Sequence, residues 1–215
     1  LSENNTFIPQ VSEDKFESLR KVQLANFNPL PLPEAISSDV IGIVNAVRRN
    51  IGVNKFLFEG MPGTGKTETA KQVARLLQRE LYIVDFETII DSKLGQTAKN
   101  IANLFKEINS FTYPERTLIL FDEIDAIALN RLDNNDLREM GRATTSILKG
   151  MDSLQDGVVL IATTNLFNAF DKALVRRFDA VIDFNRYSQQ HLLEIAESMM
   201  SSILSDSKHS GRNAR

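Results

Sequence analysis

Residues 55–67 read Lys-Phe-Leu-Phe-Glu-Gly-Met-Pro-Gly-Thr-Gly-Lys-Thr, and this stretch decides the fold. Lys55–Glu59 is a short apolar run bounded by charge, the composition of a buried strand. Gly60–Thr67 fits the pattern G-x-x-x-x-G-K-[ST], and a helical pattern runs from Lys66 to Arg79. A strand that breaks into a glycine-rich turn and then opens a helix aims several backbone N–H groups at one point. The glycines let those groups close around phosphate oxygens, and the helix N-terminus adds the positive end of its dipole. Lys66 supplies an ammonium for the β and γ phosphates, and Thr67 a hydroxyl for magnesium. A glycine-rich turn with no ligand is the bland alternative, and the strand–loop–helix context argues against it.

Outward from this loop, short apolar runs alternate with longer amphipathic ones. Lys55–Glu59, Leu81–Asp85, Leu118–Asp122, Val158–Thr163 and Ala180–Phe184 read as five strands. Lys66–Arg79, Thr97–Asn109 and Asn135–Met151 read as helices. Glu34–Asn50 joins them, with Ile36, Val40, Ile43, Val44 and Val47 at helical spacing. This alternation predicts an α/β fold of the P-loop NTPase class: a mostly parallel five-stranded sheet flanked by helices. Ligands of such sheets sit at the carboxyl ends of the strands. Residues 1–33 form an N-terminal segment, with a short helix expected over Glu13–Ala25 and a linker at Asn28–Pro33, whose alternate prolines forbid a helix. Residues 34–187 form the α/β core. Residues 188–215 open a C-terminal helical lid with one helix, Ser188–Leu204, followed by a polar tail. The chain is thus expected to carry the core and only the start of the lid.

Leu118-Ile119-Leu120-Phe121-Asp122-Glu123 is a buried strand ending in two acids, some 50 residues after the phosphate loop. A carboxylate beside four large apolar side chains makes sense where a cation waits at the strand end. Asp122 would hold magnesium, and Glu123 would orient and polarise the attacking water. A second acid favours hydrolysis over transfer to another acceptor, since water needs a positioned base.

With these residues in place, the chain resembles the AAA ATPases over roughly Glu34 to Leu204. The phosphate loop and the stretch Leu118–Asp125 are similar to that family's first two signatures. Ile161-Ala162-Thr163-Thr164-Asn165 resembles its first sensor, which implies that Asn165 helps fix the attacking water. Asp171–Asp179 resembles the paired-arginine element, which implies that Arg176 and Arg177 reach into a neighbouring subunit's site. Arg142–Asp152 matches the segment between the second and third signatures. The resemblance implies catalytic roles for Lys66, Glu123, Asn165, Arg176 and Arg177. It implies a nucleotide-binding set of Gly60, Pro62, Gly63, Thr64, Gly65, Lys66, Thr67 and Glu68, with Thr67 and Asp122 on the metal. ATP and Mg2+ are the implied ligands, and a homo-oligomer, most often a hexamer, is the implied assembly. One departure stands out: Lys93 takes the place of the aromatic residue with which protein-unfolding relatives grip their substrate, and a lysine there favours acidic segments.

Composition excludes several classes. There is no cysteine, hence no disulfide, thiolate chemistry or cysteine-based zinc site. The net charge of −3 gives no basic field for nucleic acid. No apolar run approaches the roughly 20 residues that cross a bilayer, and the first ten residues lack a secretory pattern, so the expected location is the cytoplasm with no membrane partner. His191 and His209 have no ligand-spaced partner, and Leu132–Glu139 lacks the glycine and closing glutamate of a calcium loop. Arg138 and Arg142 share a helix face that suits either a neighbouring subunit or surface acids. The leading expectation is an oligomeric ATPase that remodels a protein partner. The alternatives are a nucleic-acid motor or loader, and a slow ATP-dependent switch.

Overall fold

The runs Thr117–Phe121 and Val159–Thr164 are buried at every position, so the sheet that contains them must be covered on both faces. The computed structural model describes residues 16–25, 31–90, 96–129, 137–167 and 172–186, together with 191, 193, 195–197 and 200. In chain order they form β1 (Arg20–Val22), α1 (Glu34–Arg48), β2 (Lys55–Glu59), α2 (Lys66–Leu77), β3 (Glu80–Asp85), α3 (Phe86–Ile89), α4 (Gln96–Ile108), a 3-10 turn (Pro114–Arg116), β4 (Thr117–Asp122), α5 (Ala126–Leu129), α6 (Leu137–Asp152), β5 (Val159–Thr164), α7 (Lys172–Val175) and β6 (Ala180–Asp183). The sheet order is β1-β3-β4-β5-β2-β6. All pairings from β3 to β6 are parallel. The chain leaves β2, crosses to β3, then fills the gap with β4 and β5 before β6 closes the far side of β2. The carboxyl ends of β2, β5 and β4 therefore lie side by side.

Alternate residues of the strands feed two cores. Leu118, Leu120, Phe56, Phe58 and Ile161 face α1 and α2, where Ile36, Val40, Ala70 and Val73 meet them. Ile119, Phe121, Leu57, Leu160 and Ala162 face the opposite layer, built on Leu104, Phe105 and Ile108 of α4 and Ile147 and Met151 of α6. This is the mostly parallel α/β sheet expected, with its five strands in place.

The sheet has a sixth strand that the sequence reading missed. The helix expected over Glu13–Ala25 is contradicted where described: Arg20–Val22 is β1, antiparallel to β3 in the register Arg20↔Ile83, Lys21↔Tyr82 and Val22↔Leu81. The apolar residues Phe16 and Leu19 sit three apart, which imitates a helical face. Instead Leu19 joins the same core cluster as Tyr82, and the Phe16 ring packs edge-on against Tyr82 and tilted against Phe111. Pairing with β1 satisfies the backbone groups along the open edge of β3. The Ser18 N–H donates to Glu107 Oε2 at 3.1 Å and Lys21 pairs with Glu80 at 2.7 Å, pinning the segment to α4 and β3. Of the expected lid helix, the described residues 191, 193, 195–197 and 200 are helical. Lys93 lies outside the described residues.

Two local constraints yield predictions. Gly150 on α6 faces Phe105 on α4, and a Cβ there would fall 2.0 Å from the ring. Gly150→Ala should therefore destabilise the fold by about 1–3 kcal/mol in urea unfolding, because the packed ring has to move. Glu59 stands directly opposite Asp183 in the β2–β6 register. Burial, and then the Asp183 charge, raises its pKa above the ordinary glutamate value. A raised carboxyl binds its proton more tightly in the folded state, so stability is lost as pH rises through the folded value. Glu59→Gln should accordingly be more stable than wild type at pH 7, with the difference shrinking as pH falls toward the unperturbed glutamate range.

Candidate active site at the carboxyl ends of the central strands

The phosphate loop begins where β2 ends. Gly60 has φ +152, and a Cβ on it would lie 2.9 Å from the Phe184 Cβ, so a side chain is excluded on both counts. The Gly60 N–H donates to Thr164 O at 3.2 Å and the Met61 N–H to Asn185 Oδ1 at 2.9 Å, which fasten the loop to β5 and to the end of β6. Thr64 Oγ1 donates back to Met61 O at 2.8 Å. Gly65, in the left-handed region at φ +88, caps α2 without a side-chain hydrogen bond. The first N–H groups of α2 are thus claimed by no capping side chain and can meet an anion.

Lys66 is 6% exposed although it carries a charge. Its ammonium donates to Gly60 O at 2.7 Å, Met61 O at 2.9 Å and Asn165 Oδ1 at 2.8 Å, which engages all three protons. Burial lowers its pKa, and the carboxylates of Asp125, Glu123 and Asp122 oppose that shift. The next residue continues the network: Thr67 Oγ1 donates to Asp122 Oδ1 at 2.9 Å. Thr163 Oγ1 donates to the same oxygen at 2.8 Å and accepts the Glu123 N–H at 2.8 Å. Asn165 lies between Lys66 and Glu123. Its Oδ1 accepts from the lysine, its Nδ2 reaches Glu123 Oε1 at 3.4 Å, and its N–H donates to Asp125 Oδ1 at 3.2 Å. Glu123 is exposed, with its carboxylate open to solvent.

The structure therefore brings together Lys66, Thr67, Asp122, Glu123 and Asn165 from three elements. Glu68 points elsewhere, pairing with Lys71 at 2.5 Å on the same helix. The two adjacent arginines make no hydrogen bond to this cluster among the described residues, and their side chains are set differently. Arg177 is bound within its own subunit, its Nε and Nη2 on the Asp152 carboxylate at 3.2 and 3.3 Å and its Nη1 on Ala173 O at 3.1 Å. Arg176 is exposed, and its side chain makes no hydrogen bond or ion pair among the described residues. Sequence reasoning assigned nothing to Thr163, Asp125 or Asn185. The first two lie within or beside quoted motifs, and their polar side chains in otherwise apolar surroundings were the signal. Asn185 left none, because its role exists only once β6 lies beside β2.

The donor set suits a divalent cation. Three carboxylates surround one ammonium, so two negative charges are left over. Thr67 and Asp122 are hard oxygen donors 2.9 Å apart. Among the described residues no group of three or more His, Cys, Asp or Glu could hold a metal ion by itself. Nor is any described helix long and apolar enough to cross a membrane.

Comparisons with known proteins place the chain among its relatives. The family model described as AAA, ATPase family associated with various cellular activities, matches residues 56–186. An uncharacterized AAA family ATPase, y4kL, of Sinorhizobium fredii is 34% identical over 186 residues, which covers 83% of this chain and 54% of the relative. Proteasome-activating nucleotidase 2 of Haloferax volcanii is 30% identical over 188 residues, 83% of this chain and 43% of the relative. The chain thus spans about half the length of these curated relatives or less. Among solved structures, a chain of the HORMA:CdnC:Trip13 complex from E. coli MS115-1 superposes with a TM-score of 0.66 at 19% identity, covering 86% of this chain and 74% of that one, a likeness of fold. Since the family's model runs from within β2 to just past β6 and takes in the whole lysine–threonine–carboxylate network, the chain belongs to the AAA family of ATPases.

Proposed function

We propose that this chain is the ATPase core of an oligomeric AAA protein that hydrolyses ATP to ADP and phosphate and couples the cycle to remodelling a protein partner. The observation that carries the reading is the continuous network from Lys66 through Asn165 to Glu123, with Thr67 and Asp122 beside it. Each group has a task there. The loop Gly60–Thr67 cradles the phosphates through backbone N–H groups, and the Lys66 ammonium neutralises charge on the β and γ phosphates. Thr67 and Asp122 hold magnesium, which when bound supplies further charge neutralisation at the phosphate oxygens. Glu123 takes the proton of a water aligned by Asn165 for in-line attack on the γ-phosphorus. The 3.4 Å Asn165–Glu123 contact supports that pairing, since one side chain touches both the phosphate-binding lysine and the base.

The arginines support an assembly. Arg176, exposed and without a side-chain hydrogen bond or ion pair among the described residues, suits a finger that enters a neighbouring subunit's site. Arg177, held on Asp152, suits a support that sets the direction of the turn. A finger acting in trans calls for a ring or filament, and the family resemblance favours a homo-hexamer. A protein client is supported by the relatives, one of which is named for activating the proteasome. The cytoplasm is the location that goes with this reading.

Glu123→Gln should keep ATP bound while kcat falls by on the order of 10² to 10⁴, and normal turnover would remove Glu123 from the base role. Arg176→Ala should cost about 10³ in turnover, and the same change at Arg177 less, accompanied by a lower melting temperature. Mixing Glu123→Gln with Arg176→Ala subunits should restore part of the activity if sites are shared between subunits, and no rescue at any ratio would refute a finger in trans. Specific activity should rise steeply with protein concentration for the same reason.

A further inference from the structure

Thr163 is the penultimate residue of β5, buried to 1% exposure beside Asp122 at the end of β4 and Glu123 just after it. A threonine hydroxyl has one proton to give and two lone pairs. Here the proton goes to Asp122 Oδ1 and a lone pair receives the Glu123 N–H, both at 2.8 Å. The carbonyl of the same residue accepts the next N–H, from Ile124, at 3.0 Å. Both amides of the turn that carries Glu123 therefore end on a single residue of the neighbouring strand.

That turn needs holding. The β4–β5 register ends at Phe121↔Ala162, so Glu123 is beyond the regular ladder. Its φ is +50, in the left-handed region that glutamate adopts only when its surroundings impose it. The imposed contact is the Thr163 hydroxyl. Asp122 Oδ1 in turn is shared between Thr67 and Thr163, so the oxygen placed to meet a cation is two hydrogen bonds away from the backbone of the base. Valine would match the β-branched shape but would leave the Glu123 N–H without its acceptor and Asp122 with one donor fewer.

We infer that Thr163 is a positioning residue that couples the metal-binding carboxylate, Asp122, to the water-orienting carboxylate, Glu123, through its hydroxyl. The inference rests on the ATPase reading above and adds to it that cation occupancy at Asp122 sets the position of Glu123. Without the hydroxyl, phosphate binding by Lys66 and the loop stays intact, while metal binding and the chemical step are weakened together.

The test compares wild type, Glu123→Gln, Thr163→Val and Thr163→Ser, each checked for cooperative thermal unfolding. Wild-type turnover and its collapse in Glu123→Gln are required first; failure there overturns the ATPase reading and is distinct from failure of the coupling. Thr163→Val should then lose about tenfold to hundredfold in kcat, with the KM for ATP changed by no more than about threefold. The magnesium concentration that half-saturates binding of a fluorescent ATP analogue should rise about tenfold in Thr163→Val, with binding in excess chelator unchanged. Thr163→Ser should recover most of both, because it restores the oxygen. Should Thr163→Val fail to unfold cooperatively, Thr163→Ala replaces it under the same expectations. The coupling is overturned if the folded variant without a hydroxyl keeps wild-type kcat, if it loses chelator-resistant nucleotide binding in step with turnover, or if serine restores neither quantity.

Discussion

A buried ammonium cannot remain charged unless its protons are met, and in this protein the requirement falls on Lys66. Burial works against its charge, and three nearby carboxylates work for it. Its hydrogen bonds reach the carbonyls of Gly60 and Met61 and the amide of Asn165, so one side chain holds the start of the phosphate loop to the end of β5. Each buried polar partner left unmet would cost about 1–3 kcal/mol, which makes this arrangement a constraint on everything around it. The two carbonyls turn toward the lysine, and β5 has to lie next to β2 for Asn165 to reach it. The sheet order meets this requirement: β5 fills the place between β2 and β4, and its polar end faces the loop on one side and the acids on the other.

On this scaffold the site holds two unfavourable backbone features. Gly60 passes so close to Phe184 that no side chain fits, and Glu123 sits in a left-handed conformation. Both are tolerated because the central strands around them are packed on both faces and leave no room to relax. Strained positions cluster where geometry has a task. Here they turn the backbone sharply at the end of β2 and leave one carboxylate open to solvent. The rim is looser. Arg177 rests on an exposed partner, Asp152, an attachment that contributes little to stability.

The loop Gly60–Thr67 was legible as a turn between strand and helix because its conformation is written in eight consecutive residues whose glycines permit it. The five parallel strands were legible because burial on both faces writes a continuous apolar run. β1 was misread for the converse reason. It is an edge strand of three residues whose anchors, Phe16 and Leu19, lie at a spacing that a helix would also use, and only the open edge of β3 decides between the two.

What the sequence determined by itself was the chemistry on offer: a phosphate-binding loop, a pair of strand-end acids and an amide, each set by a few neighbouring residues. The tertiary structure alone decided which of those groups touch. Lys66 meets Asn165 across 99 residues, Glu123 meets the Thr163 hydroxyl across 40, and Met61 meets Asn185 across 124. It also gave the two adjacent arginines different settings, one bound to Asp152 and the other exposed. The physical reason is that periodicity and motif report on backbone conformation over a turn or a strand. Contacts between strand ends depend on strand order, and that order follows from how two layers of helices cover one sheet.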